Sequence, residues 1–175
     1  MFLSGCKSKN DEMAQALSFR QQLENANDCS FYATITADFG ESTYKFKLHC
    51  TVDEIGEMRF TVCEPETLSG ISGTFSAEGG KLTFDDSVLA FPSVIEGELS
   101  PVSTPWILYT CLLKGYISSC GAADDGIQMI IDDTFNGENL QCIVWLNFAQ
   151  KPVYGEIVWK GRRVLSVNVE EFHYS

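Results

Sequence analysis

Phe31-Tyr32-Ala33-Thr34-Ile35-Thr36-Ala37-Asp38-Phe39 decides the fold. Phe31, Ala33, Ile35, Ala37 and Phe39 alternate with Tyr32, Thr34, Thr36 and Asp38. Successive side chains of a strand point to opposite faces, so the stretch reads as a strand with one apolar face. The next stretch repeats the pattern: Tyr44, Phe46, Leu48, Cys50 and Val52 alternate with Thr43, Lys45, Lys47, His49 and Thr51. Met58, Phe60 and Val62 alternate with Arg59, Thr61 and Cys63 in a third strand, after a turn at Asp53-Glu54-Ile55-Gly56.

Outward from this core the period stays at two. Thr74 to Ala77 and Lys81 to Asp85 form a hairpin around Glu78-Gly79-Gly80, and Val88 to Phe91 is a short strand ended by Pro92. Ile127 to Ile131, Leu140 to Phe148, Val153 to Trp159 and Arg163 to Val169 follow, with turns at Gln150-Lys151-Pro152 and Lys160-Gly161-Arg162. The pattern predicts a meander of about nine or more strands. Asp11 to Asn25 reads as a helix with a modest apolar stripe of Met13, Ala16, Leu17, Arg20 and Leu23, its start capped by Asn10 or Asp11. Thr104-Pro105 reads as a cap followed by proline at the first helical position. The run from Trp106 to Ile117 is apolar on nearly every side, with Lys114 its one charge. Such a helix is buried all round, and it is too short to span a bilayer. The expected architecture is α+β: a curved antiparallel sheet with an N-terminal helix and an apolar helix in its concave face.

The chain has 175 residues, the size of one domain. Its net charge of −12 opposes nucleic-acid binding, where Lys and Arg must neutralise phosphates. The same charge opposes adhesion to anionic lipid. Leu3-Ser4-Gly5-Cys6 resembles a bacterial lipobox. A complete signal peptide has about 15–30 residues, so the chain has lost the front of its signal or starts at an internal Met. The resemblance implies that Cys6 carries lipid and that the domain works outside the cytoplasm, anchored to a membrane. The expected division is a signal remnant over 1–6, a polar tether over 7–12 and one domain over 13–175.

Cys29, Cys50, Cys63, Cys111, Cys120 and Cys142 remain. Six thiols outside the cytoplasm permit three disulfides, and free buried cysteines are the other reading. Cys50 and Cys63 lie in opposite phases of adjacent strands, which opposes a bridge between them unless a bulge intervenes. No C-x-x-C spacing suggests a zinc or redox site. His49 and His173 have no Ser or Cys at a spacing that makes a triad. The pairs Asp85-Asp86, Asp124-Asp125 and Asp132-Asp133 sit at strand ends or turns, where Asp bonds its own backbone. No catalytic, metal or cofactor site is expected, and the protein reads as a non-enzyme.

The order of elements resembles the LolA/LolB superfamily, including its Gram-positive, GerS-like branch. Lys151 to Val169 is similar to that family's last hairpins, and Gly80-Lys81-Leu82-Thr83-Phe84-Asp85 to its mid-chain strand. The resemblance implies an open half-barrel that holds an acyl chain or lipid, or that serves as an adaptor for an envelope protein partner. The family's carrier also places an arginine in its cavity to hold a lid closed. Arg59 lies out of phase with the apolar face and Arg20 lies on the first helix. The expected ligand wall is Ala33, Ile35, Phe46, Leu48, Phe60, Val62, Leu82 and Phe84, with Trp106, Leu113 and Ile117 from the second helix. Plain core packing is the alternative for the same residues, because period alone does not separate a filled core from a cavity.

Overall fold

The computed structural model describes residues 9–84, 87–95, 98–135 and 137–175. Cys6 and the Asp85-Asp86 pair lie outside the described residues. The described residues open with helix α1 (Lys9–Glu24), which reaches back into the segment read as a tether. Strands β1 (Cys29–Asp38), β2 (Thr43–Val52) and β3 (Met58–Glu64) follow. Next come β4 (Ser72–Ser76), β5 (Gly79–Phe84), β6 (Ser87–Phe91) and a two-stranded piece, β7 (Val94–Ile95) with β8 (Glu98–Leu99). Helix α2 (Thr104–Lys114) precedes β9 (Tyr116–Ala123), β10 (Gly126–Phe135), β11 (Glu138–Asn147), β12 (Pro152–Trp159) and β13 (Arg162–Tyr174).

Eleven strands form one antiparallel sheet in the order β6-β5-β4-β3-β2-β1-β13-β12-β11-β10-β9. The sheet is curved and unclosed. Two meanders, one from each half of the chain, meet where β1 pairs with β13. Registry aligns the apolar phases into continuous rows across the buried face. One row runs Phe46, Ile35, Val167, Gly155, Val144, Met129, Cys120. The alternation read from the sequence thus becomes a single inner surface, and the outer face carries Thr34, Lys47, His49, Glu156 and Gln128. His49 packs against its cross-strand neighbour Tyr32 with ring centroids 4.7 Å apart.

The helices cover part of that surface. Helix α1 buries Ala16, Phe19 and Leu23, while Leu17 is exposed, so Phe19 takes the place expected for Leu17. The Phe19 ring meets Phe172, which stacks on Phe31, and this fixes α1 over β1 and β13. Helix α2 buries Ile107, Leu108, Cys111 and Leu112. Its N-cap is Ser103, and Thr104 is already helical, with its hydroxyl donating to the Pro101 carbonyl. The helix stops at Lys114, earlier than expected. A side chain at Gly115 would run into Ile131, so the chain turns there and Tyr116 and Ile117 begin β9. Among the described residues no helix is long and apolar enough to cross a membrane.

Two glycines shape the β3–β6 wing. Gly73 faces Phe60 across β3–β4, and a Cβ there would strike the Phe60 ring and the Lys81 carbonyl. Gly80 makes the same room for Phe75 and Phe91. Aromatic rings thus lie where side chains would otherwise stand, with Phe60 and Phe75 centroids 5.5 Å apart. Gly73→Ala is expected to lower stability by about 1–3 kcal/mol through overpacking, read as a drop in the urea midpoint at unchanged slope.

Candidate functional site

Apolar surface, buried thiols and a carboxylate converge on the inner face beneath α2. Leu108 seats over Gly155: a Cβ on Gly155 would lie 3.2 Å from Leu108 Cδ1 and 3.3 Å from Val167 Cγ1. The glycine therefore leaves a socket in the sheet for the helix. Ile107, Leu108 and Leu112 are each at most 2% exposed. Burying a side chain of this size contributes roughly 1.5–3 kcal/mol, so packing dominates the seating of α2.

Polar contacts fix its end. The last carbonyls of a helix lack intrahelical partners and carry the negative end of its dipole. Arg20, from α1, donates through Nε to the Leu112 carbonyl at 2.7 Å and through Nη2 to the Cys111 carbonyl at 3.3 Å. A cation thus joins the two helices at the spot where α2 attracts positive charge. Burial pulls the Arg20 guanidinium below its ordinary pKa, and the nearby Glu24 carboxylate opposes that shift. Charge in this range stays complete at any physiological pH.

The thiols sit on the same face. Cys111 Sγ donates to Asp133 Oδ2 at 3.8 Å. A hydrogen bond with Cys142, burial and the Asp133 charge hold the Cys111 thiol well above its ordinary value. Burial pushes Cys29 up to about 12 and raises Cys50 further. Burial and Glu12 raise Cys120, whose sulfur lies 3.9 Å from Met13 Sδ. All six described cysteines are free thiols. Cys50 faces Phe60 across the β2–β3 ladder, and Cys63 is the extra residue of the bulge opposite Lys47/Leu48. The adjacent pair Asp132 and Asp133 splits between faces: Asp132 accepts from Gln141 Nε2 at 2.7 Å on the outer side.

The expected wall residues fall into three groups. Ala33, Ile35, Leu48, Phe60 and Val62 are buried on the inner face as one continuous core. Phe46, Leu82, Trp106 and Leu113 are half-buried at its margin. Ile117 is buried too, but from β9 and not from the helix. Phe84 is 59% exposed, and Leu89 beside it on the same face is 66% exposed. The helices therefore cover the β9–β13 half of the inner face and leave the β5–β6 wing bare. The Arg20 bonds had a sequence signal, an arginine on the first helix, but their acceptors are backbone carbonyls, which no side-chain pattern reports.

An unclosed antiparallel sheet with helices seated in its concavity makes an open half-barrel. No family model matches the chain, and no curated protein matches it. Among solved structures the chain is similar to an uncharacterized conserved protein from Thermus thermophilus, with a TM-score of 0.51 and 12% identity over 94% of this chain and 88% of that one. It is also similar to a LolA superfamily protein from Nitrosomonas europaea (TM-score 0.45, 9% identity, 91% of this chain and 93% of that one). A third similarity is to a chain in the complex of the CwlD amidase from Clostridioides difficile with the GerS lipoprotein (TM-score 0.47, 16% identity, 99% of this chain and 100% of that one). The likeness to the Thermus protein is one of fold.

Two outcomes follow from this geometry. Arg20→Gln removes a charged donor from two α2 carbonyls and is expected to cost about 1–3 kcal/mol, seen as faster hydrogen exchange at the α2 amides than at those of β1. The raised thiols work in one direction: the unfolded chain loses these protons near the ordinary value of 9.0, and the folded chain holds Cys29 to about 12. Their contribution to stability is complete below pH 9 and is lost as pH rises toward 12. Urea midpoints are therefore expected to fall between about pH 9 and about pH 11. In the folded protein a thiol reagent should reach Cys63 and Cys120 well before Cys29, Cys50, Cys111 and Cys142.

Proposed function

We propose that this protein is a non-enzymatic binding module of the cell envelope, anchored outside the cytoplasm through lipidated Cys6. Its half-barrel accepts an apolar guest, such as an acyl chain, when α2 lifts. The observation that carries the reading is the seating of α2. An apolar helix occupies the concave face, and its polar side-chain ties to the other helix and the sheet, among the described residues, are the Arg20 bonds and the Cys111 contacts with Asp133 and Cys142. A guest that replaces α2 offers the wall the same kind of surface. Each methylene buried contributes roughly 0.8 kcal/mol, enough for a long chain to compete with the helix. Ala33, Ile35, Leu48, Phe60 and Val62 form the floor, Phe46, Leu82 and Phe84 the rim, Ile117 the far wall, and Trp106 and Leu113 ride on the lid. The Cys111, Cys142 and Asp133 cluster where α2 meets the sheet has no histidine among its contacts, which supports binding over turnover.

A second reading has its own observation. Ala33, Ile35, Leu48 and Phe60 are at most 2% exposed, so the barrel is filled by the chain itself. That favours an adaptor for an envelope protein, with the scaffold rigid and the outside surfaces used for binding. Native mass spectrometry of the domain from Asp11 onward, purified without detergent, separates the two. Mass additions matching fatty acids or phospholipids, lost on denaturation, support the guest-binding reading. Arg20→Gln is then expected to raise the occupancy of added palmitate about tenfold, because the lid costs less to lift. A mass that stays bare after incubation with lipid, in the wild type and in Arg20→Gln, sinks that reading in favour of the adaptor.

A further inference from the structure

A second site lies on the outer face, away from α2. A cleft of about 540 Å³ opens beside the β9–β10 turn, lined by Asp124, Asp125, Gln128, Trp145, Asn147 and Tyr154. Gly126 builds it: with φ +154 and no side chain, its backbone lies flush on Leu146 and Asn147, where any Cβ would collide. The turn is thereby pressed against β11 and becomes one wall. Trp145 and Tyr154 are direct cross-strand partners on β11 and β12, with ring centroids 5.2 Å apart and planes at 50°. They form the floor. Gln128, opposite Trp145 on β10, completes the row.

The polar groups around the rings have few partners within the protein. Asn147 Oδ1 accepts from the Ala149 and Lys151 amides at 3.0 Å, which fixes that side chain and leaves its NH₂ without a partner among the described residues. The Trp145 indole N–H, the Gln128 amide and the Asp124 and Asp125 carboxylates likewise make no hydrogen bond among the described residues. The cleft therefore offers aromatic faces, three N–H donor groups and two carboxylate acceptors to one ligand. A simple cation would satisfy the carboxylates and oppose the donors. An acyl chain would leave all of them unpaired at a cost. A saccharide suits both sets, because each hydroxyl donates and accepts and the C–H faces of the ring pack on aromatic side chains.

We propose that the Trp145–Tyr154 cleft is a saccharide-binding site on the convex face, independent of whatever the concave face holds. The volume lies in the range of sites that take small organic ligands. The test is calorimetric titration of the full chain with three neutral trisaccharides: chitotriose, cellotriose and maltotriose. At least one is expected to bind saturably and to keep its affinity in high salt. Trp145→Ala is expected to weaken that binding by about tenfold or more, and Gln128→Ala by several-fold, with unchanged circular dichroism. If Trp145→Ala fails to fold, Trp145→Phe with Gln128→Ala carries the comparison. Absence of binding to all three sugars overturns the proposal, as does binding indifferent to both variants. Salt-sensitive binding of spermidine in place of any sugar also overturns it and makes the cleft a cation site. Lipid uptake seen by native mass spectrometry is a separate readout, so either site can fail alone.

Discussion

The need to cover the inner face of an unclosed sheet governs this structure. Registry across β1, β2 and β10 to β13 gathers every apolar phase onto one surface, and a half-barrel cannot bury that surface by closing on itself. Helix α2 has the complementary difficulty, since it is apolar on nearly every side and has no stable place in water. Each solves the other's problem. The socket at Gly155, the stop at Gly115 and the Arg20 bonds are then consequences: they set where the helix lies, where it ends and what holds its end.

The strands were legible because one face meets water and the other does not. Where that contrast holds, as over β1, β2 and β11, period two marks the elements to within two residues. Where it fails, the pattern is silent. Ser118, Ser119, Gly121 and Ala122 of β9 are small or polar at a sheet edge, and no alternation separates them from a loop. The same segment hid the end of α2, because apolar residues continue through Ile117 and only Gly115 marks the break. The wall residues were identifiable as an apolar face, yet whether that face is filled depends on which helix lies over it. The outer cleft was harder still. Trp145, Tyr154 and Gln128 are distant in sequence and meet only through strand pairing.

The two arms of the sheet are covered unequally. On the β9–β13 side, α1 and α2 cover the inner face. On the β5–β6 side, Phe84 and Leu89 face solvent on the same surface. An apolar path thus leads from open wing to plugged core without crossing a polar barrier on the sheet. The aromatic trio Phe60, Phe75 and Phe91, given room by Gly73 and Gly80, stands along it.

The position of β1 carries a mechanical consequence. It is the sixth of eleven strands, with β2 on one side and β13 on the other, and α1 leads directly into it. Tension on the chain ahead of α1 would therefore enter the middle of the sheet. A strand at an edge is peeled one hydrogen bond at a time, whereas a strand clamped on both sides resists as two ladders sheared together. The β1–β2 ladder runs from Cys29↔Val52 to Asp38↔Thr43, and the β1–β13 ladder from Cys29↔Tyr174 to Ala37↔Leu165. A domain tugged by its N-terminal side is thus gripped by two ladders in the middle of the sheet, away from its open edges, β6 and β9.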